Sequence, residues 1–128
     1  MTDRIIVINP NSSTEVTDGI DAALDDLRAD TNAEFECLTL AEGPPGVESQ
    51  CHVDGVIAPM RKLVEKTDNR ASAFVIACFS DPGLHAAREA TGHPVFGIAE
   101  SGYFAAMTRG ERFGVISILE SSVARHGR

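Results

Sequence analysis

A chain of 128 residues has the length of one ordinary domain and can bury a hydrophobic core without disulfide staples. Its 19 Asp and Glu against 11 Lys and Arg give a formal net charge of −8, which argues against the basic footprint a phosphate backbone requires, so no nucleic-acid partner is expected. The longest apolar runs are strand-sized, and Met1 is followed at once by Asp3, Arg4 and a short hydrophobic strand, not by a signal-peptide core, so no membrane partner and no export are expected.

In chain order, residues 4–9 read as a first strand, since Ile5, Ile6, Val7 and Ile8 form the continuous β-branched run of a strand covered on both faces. It stops at Asn9-Pro10-Asn11. Ser12 and Glu15 have the spacing of a capping box, and Val16, Ile20, Ala23, Leu24 and Leu27 recur at helical intervals, predicting one helix over residues 13–29. Residues 34–40 form a second strand, with Cys37 in its core-facing set. The Gly43-Pro44-Pro45-Gly46 run makes residues 41–51 an exposed loop long enough to cover a substrate. Val53, Val56, Ile57, Met60, Leu63 and Val64 then predict a helix over residues 53–67, which Pro59 either kinks or begins.

A third, buried strand leads from Phe74 into Cys78-Phe79-Ser80, after which Asp81 is placed to cap a short helix and Pro82 to occupy its first position. Residues 94–98 are a fourth strand, followed by a helix from Glu100 to about Thr108. Residues 113–118 read as a fifth strand and residues 119–126 as one or two helical turns. Alternation of strands and helices with short connections defines an α/β fold: a parallel, flavodoxin-like sheet beginning 2-1-3-4 with helices on both faces. That order sets the carboxyl ends of strands one and three side by side, so that Asn9 to Ser12 and Cys78 to Ser80 are expected to share one pocket.

The thiol is the chemically distinctive group there. Helix-start amides favour a thiolate, and a thiolate can remove a proton from a carbon beside a carbonyl while N–H and hydroxyl donors hold the developing enolate oxygen. Asn11, Ser12 and Ser80 are candidate donors. Free cysteine is also among the most buried residue types, so a purely structural Cys78 stands beside the catalytic reading. Asn9 and Asn11 serve equally well as turn residues, and Ser12 as a helix cap. Cys37, Cys51 and Cys78 form no CxxC pair, and His52, His85, His93 and His126 are scattered; no metal site is expected, and a reducing cytoplasm fits best. There is no GxGxxG after the first strand and no GxxxxGK[ST].

Three motifs in order carry a family resemblance: Ile8-Asn9-Pro10-Asn11-Ser12-Ser13, Ala77-Cys78-Phe79-Ser80-Asp81-Pro82-Gly83-Leu84, and Pro94-Val95-Phe96-Gly97-Ile98-Ala99-Glu100-Ser101. Together they resemble the aspartate/glutamate racemase superfamily, and within it the hydantoin racemases, over most of residues 4–119. The resemblance implies a cofactor-independent isomerase of two pseudo-symmetric α/β lobes, with a small-molecule substrate such as a 5-substituted hydantoin held between a cysteine from each. Cys78 matches the first cysteine. Asn11 matches a substrate-orienting position, and Ser12, Phe79 and Ser80 lie in the loops that meet the substrate.

On that resemblance, residues 1–110 are the N-terminal lobe and residues 111–128 the start of a second one. The second-lobe cysteine has no counterpart, since Cys37 and Cys51 both precede Cys78. The expectation is therefore a chain cut just after its second lobe begins, impaired or inactive alone in two-thiol racemisation, with apolar surface left for self-association into a homo-oligomer. A natural half-protein and a non-catalytic small-molecule binding or oligomerisation domain are the alternatives. Within the enzyme class, so are a decarboxylase and a cis-trans isomerase of the same superfamily.

Overall fold

The computed structural model of the chain describes residues 2–127; Met1 and Arg128, the outer limits of the two expected segments, lie outside the described residues. The elements are β1 (Arg4–Asn9), α1 (Thr14–Ala23), α2 (Asp25–Asp30), β2 (Glu34–Thr39), α3 (Gln50–Gly55), α4 (Ile57–Thr67) with a 3-10 turn over Asp68–Arg70, β3 (Ala73–Ile76), α5 (Leu84–Ala90), β4 (Val95–Gly97), α6 (Ile98–Met107) and α7 (Glu120–His126). All strand pairs are parallel and the order is β2-β1-β3-β4, the predicted 2-1-3-4 arrangement.

The register explains the core. Ile6 pairs with Phe74 and Phe74 with Val95, while Ile8 pairs with Ile76, so these residues share one face of the pleat. That face packs against Met60 and Val64 of α4 and Leu84 and Ala87 of α5 in a single buried cluster. The other face receives α1, where the Asn9 amide donates to Thr17 Oγ1 at 3.1 Å. Cover on that face runs out towards β4, whose Phe96 is 49% exposed. Among the described residues no helix is long and apolar enough to cross a membrane.

Several local expectations are corrected. The helix predicted over residues 13–29 is two helices broken at Leu24, where the Arg28 guanidinium folds back onto the Asp21 carbonyl and carboxylate. Its N-cap is Ser13, which accepts from the Val16 amide; Ser12 is not the cap. The helix over residues 53–67 is likewise two, broken at Val56, and Pro59 falls in the first turn of α4, where no N–H is needed. Asp81 and Pro82 do not open the next helix: Gly83, at φ +76°, precedes α5. Residues 113–118 form no strand, because among the described residues no neighbouring strand pairs with them; Ile116 and Ile118 are 99% and 95% exposed.

Candidate active site

Cys78 sits just past β3, at the carboxyl edge of the sheet. The Ala77 amide still donates to the Ile8 carbonyl at 2.9 Å, so the ends of β1 and β3 are tied together. The chain then turns sharply. Asp81 N–H donates to the Cys78 carbonyl at 2.9 Å, closing a turn with Phe79 and Ser80 at its tip.

The turn is held from the side by a contact that spans the sequence. Asp81 has φ +45°, a left-handed conformation that Asp tolerates better than most residues. Its carboxylate accepts from the Ala99 amide at 2.9 Å and from the Glu100 amide at 2.7 Å, capping the first turn of α6. Gly97 leaves room for this grip, since a Cβ there would lie 2.2 Å from the Asp81 carboxyl carbon. The third and fourth strands' loops are thereby locked to each other. Asp81 thus caps α6 and not α5, the helix nearer to it in sequence, because the amides it meets belong to an element brought alongside by the sheet.

The electrostatics of Cys78 differ from the sequence expectation of a thiolate favoured by helix-start amides. Burial pushes the Cys78 thiol above its ordinary value; the Ser80 amide and hydroxyl oppose this, the Asp81 charge adds to it, and Arg125 opposes it. These surroundings disfavour the Cys78 thiolate relative to that of an ordinary cysteine. Helix α5 begins six residues beyond it, too far for its first amides to dominate.

Around Cys78 lies a small cavity of about 150 Å³ whose walls include Val47, Phe79, Ser80, Ser122, Arg125 and His126. The predicted covering loop does reach the site, through Val47. The C-terminal segment closes it: Ser121 Oγ and Arg125 Nη1 donate to the Glu48 carbonyl at 3.3 and 3.5 Å. A larger cleft of about 470 Å³ adjoins it, lined by Phe79, Ser80 and Asp81 together with Tyr103, Phe104, Arg125 and His126.

Of the predicted site residues, the fold brings Cys78, Phe79 and Ser80 together. Asn11 and Ser12 are on the neighbouring strand end but line neither space. They are drawn towards the 41–49 loop, where the Ser12 amide donates to the Pro44 carbonyl at 2.9 Å and Gly43 packs against the Pro10 carbonyl. Asn9 anchors that turn: its Nδ2 donates to Asn11 Oδ1, the Ser13 carbonyl and Thr17 Oγ1, and its Oδ1 accepts from the Asn11 amide. Asn11 Oδ1 also accepts from the Ser13 amide, so only the Asn11 NH₂ group is available to a ligand. Tyr103, Arg125 and His126 carried no sequence signal, because only the docking of α7 brings two of them to the cleft. Cys37 and Cys51 are elsewhere, the first half-buried on β2 with its thiol pushed up to about 11 by burial, the second exposed on α3. Among the described residues no group of three or more His, Cys, Asp or Glu could hold a metal ion.

An open parallel sheet with a cysteine turn at the carboxyl edge of its third strand defines an α/β lobe. The chain belongs to the Asp/Glu/hydantoin racemase family, whose model matches residues 5–128. It is 42% identical over 121 residues to a hydantoin racemase of Pseudomonas sp. (strain NS671), covering 91% of this chain and 47% of that protein. With a hydantoin racemase of Rhizobium meliloti it shares 39% over 123 residues, 94% of this chain and 50% of that one. An allantoin racemase from Klebsiella pneumoniae superposes with a TM-score of 0.88 at 31% identity, over 98% of this chain and 51% of its own. A second allantoin racemase, from Pseudomonas fluorescens, gives 0.87 at 25% identity. The chain spans about half the length of the curated relatives it matches.

Proposed function

We propose that this chain supplies one lobe of a cofactor-independent racemase acting on 5-substituted hydantoins or related amino-acid derivatives, with Cys78 as one of two thiol acid/bases. The observation that carries this reading is the Cys78 turn, which buries a thiol beside the Ser80 amide and hydroxyl at the sheet's carboxyl edge. As a thiolate, Cys78 takes the proton from the carbon next to the carbonyl; the electron pair passes into the enolate, and N–H donors hold its oxygen. A thiol on the other face returns a proton to that carbon, and Cys78 gives up its own in the reverse direction. Phe79 and Ser80 contact the substrate; Asn11, through its NH₂ group, and Ser12 orient it from the neighbouring strand end, which requires a substrate that reaches beyond the Cys78 cavity.

Residues 1–110 form the N-terminal lobe on this reading, and residues 111–128 open a second one, which explains a strand-like 113–118 segment without a strand partner. The second thiol is not Cys37 or Cys51, neither of which borders the Cys78 cavity, so two-base racemisation by this 128-residue chain alone is absent or very weak. Three free cysteines fit a reducing cytoplasm.

Solvent deuterium exchange at C5 of 5-benzylhydantoin tests the role of Cys78. Exchange above the protein-free rate is expected with the native chain, and a return to that rate in Cys78→Ala. Equal exchange by both proteins removes Cys78 from the mechanism. A second reading, a non-catalytic binding domain on the same lobe, is favoured by the raised Cys78 pKa; its mark is thermal stabilisation by the hydantoin with no exchange.

A further inference from the structure

Among the described residues, three buried side-chain polar atoms have no hydrogen-bond partner: Tyr103 OH, Arg125 Nε and His126 Nδ1. Folded proteins pair nearly all such atoms, and here all three belong to side chains that line the 470 Å³ cleft. Phe79 stands between two of them, edge-on to Tyr103 at 5.3 Å and to His126 at 5.8 Å. Arg125 and His126 also border the Cys78 cavity, so the two spaces share a wall.

The charges around the cleft are unevenly spent. Both oxygens of Asp81 are taken by the Ala99 and Glu100 amides, and both oxygens of Glu100 by Arg88. Arg125 makes no ion pair with a described residue, and its Nη1 reaches only the Glu48 and Ser121 carbonyls, at 3.5 and 3.4 Å. In a chain with a net charge of −8, this corner therefore holds a cation whose carboxylate partner is not supplied from the described residues. A guanidinium N–H and a phenol O–H, with the imidazole nitrogen when it carries its proton, are together a donor set for the several lone pairs of a carboxylate. Phe79 and Phe104 provide the apolar wall for the body that carries it.

We propose that this cleft is a carboxylate-binding subsite beside Cys78, formed by Tyr103, Arg125 and His126, which takes an acidic substituent of the substrate. The proposal rests on the racemase-lobe reading above for the identity of the reacting ring, and it deepens that reading by naming the substituent. The three polar atoms are shielded from bulk water, so admission of the group involves a small shift of α7, whose hydrogen bonds to the 41–49 loop among the described residues are the two long ones to the Glu48 carbonyl.

Calorimetric titration of the 128-residue protein with three probes decides the matter: hydantoin-5-acetate, its carboxamide of the same shape, and succinate. The acid is expected to bind at least about tenfold more tightly than the amide. That preference falls to within about twofold in Arg125→Gln, is retained in part in Arg125→Lys, and weakens in Tyr103→Phe, with circular dichroism confirming that each variant is folded. Equal affinity for acid and amide overturns the subsite and leaves the hydantoin reading standing. An acid preference unchanged in Arg125→Gln also overturns it. Binding of succinate that depends on Arg125, with neither hydantoin bound, supports the subsite and removes the hydantoin assignment. No binding of any of the three overturns the subsite.

Discussion

Cys78 is a thiol whose surroundings oppose its ionisation, and that sets its reactivity. A raised pKa means fewer thiolates at neutral pH, so alkylation of Cys78 is slow there and accelerates as pH rises through a midpoint above the ordinary thiol value. Exposed Cys51 reacts first, and Cys37 last, with its midpoint about 11. Mass spectrometry of iodoacetamide-treated protein between pH 7 and pH 11 resolves the three sites; a Cys78 rate already flat at pH 7 contradicts the assignment. The same protonation makes folding stability fall as pH rises. Cys37 holds its proton in the folded state above the pH at which it loses it unfolded, so its contribution is complete below about pH 9 and is lost towards pH 11.

A second residue-scale prediction concerns Asn9, which is 2% exposed and whose Nδ2 serves three acceptors. Asn9→Asp keeps the shape and removes the donor, leaving a carboxylate against Asn11 Oδ1, the Ser13 carbonyl and Thr17 Oγ1. Loss of roughly 1–3 kcal/mol in urea unfolding is expected, and an unchanged midpoint shows the network to be dispensable.

At the scale of elements, the grip of Asp81 on α6 carries the Cys78 turn. Gly97→Ala places a methyl group 2.2 Å from the Asp81 carboxyl carbon, and one side or the other has to move. A cost of about 1–3 kcal/mol is expected from overpacking, together with faster alkylation of Cys78 as its turn loosens. A variant as stable as the native chain, with Cys78 equally slow, disproves the clamp. Asp81→Ala removes the cap with no volume conflict, at about 1 kcal/mol for the cap plus the strain of alanine at φ +45°, and Asp81→Asn, which keeps the left-handed tolerance, separates the two contributions.

Over the whole molecule, several large apolar side chains are left exposed. Phe96 on the edge strand, Phe104 and Met107 on α6, and Ile116 and Ile118 on the unpaired segment are all exposed, the last two almost completely. Apolar surface of this extent drives association. Light scattering across a dilution series is expected to give a mass above the 13.6 kDa of one chain at high concentration, and Ile116→Lys with Ile118→Lys to restore it. A single-chain mass at every concentration rules out a second copy as the occupant of that surface.

Most of the sheet was legible from residue order. The continuous run from Ile5 to Ile8 and the shorter one from Phe74 to Ile76 are strands wherever they are placed, and a chain alternating strands with helices has few parallel arrangements open to it. Cys78 was legible for the same reason, because the end of a buried strand is visible as the end of an apolar run. The tertiary structure decided what depends on a distant partner. It broke helices at Leu24 and Val56, denied residues 113–118 a neighbour and so a ladder, and turned Asn11 and Ser12 towards Pro44. It also gave the Asp81 carboxylate to α6 instead of α5 and laid Arg125 and His126 over the thiol. Periodicity records which face of an element is apolar, but hydrogen-bond partners far along the chain, and the burial that raises the Cys78 pKa, exist only once the chain has closed on itself.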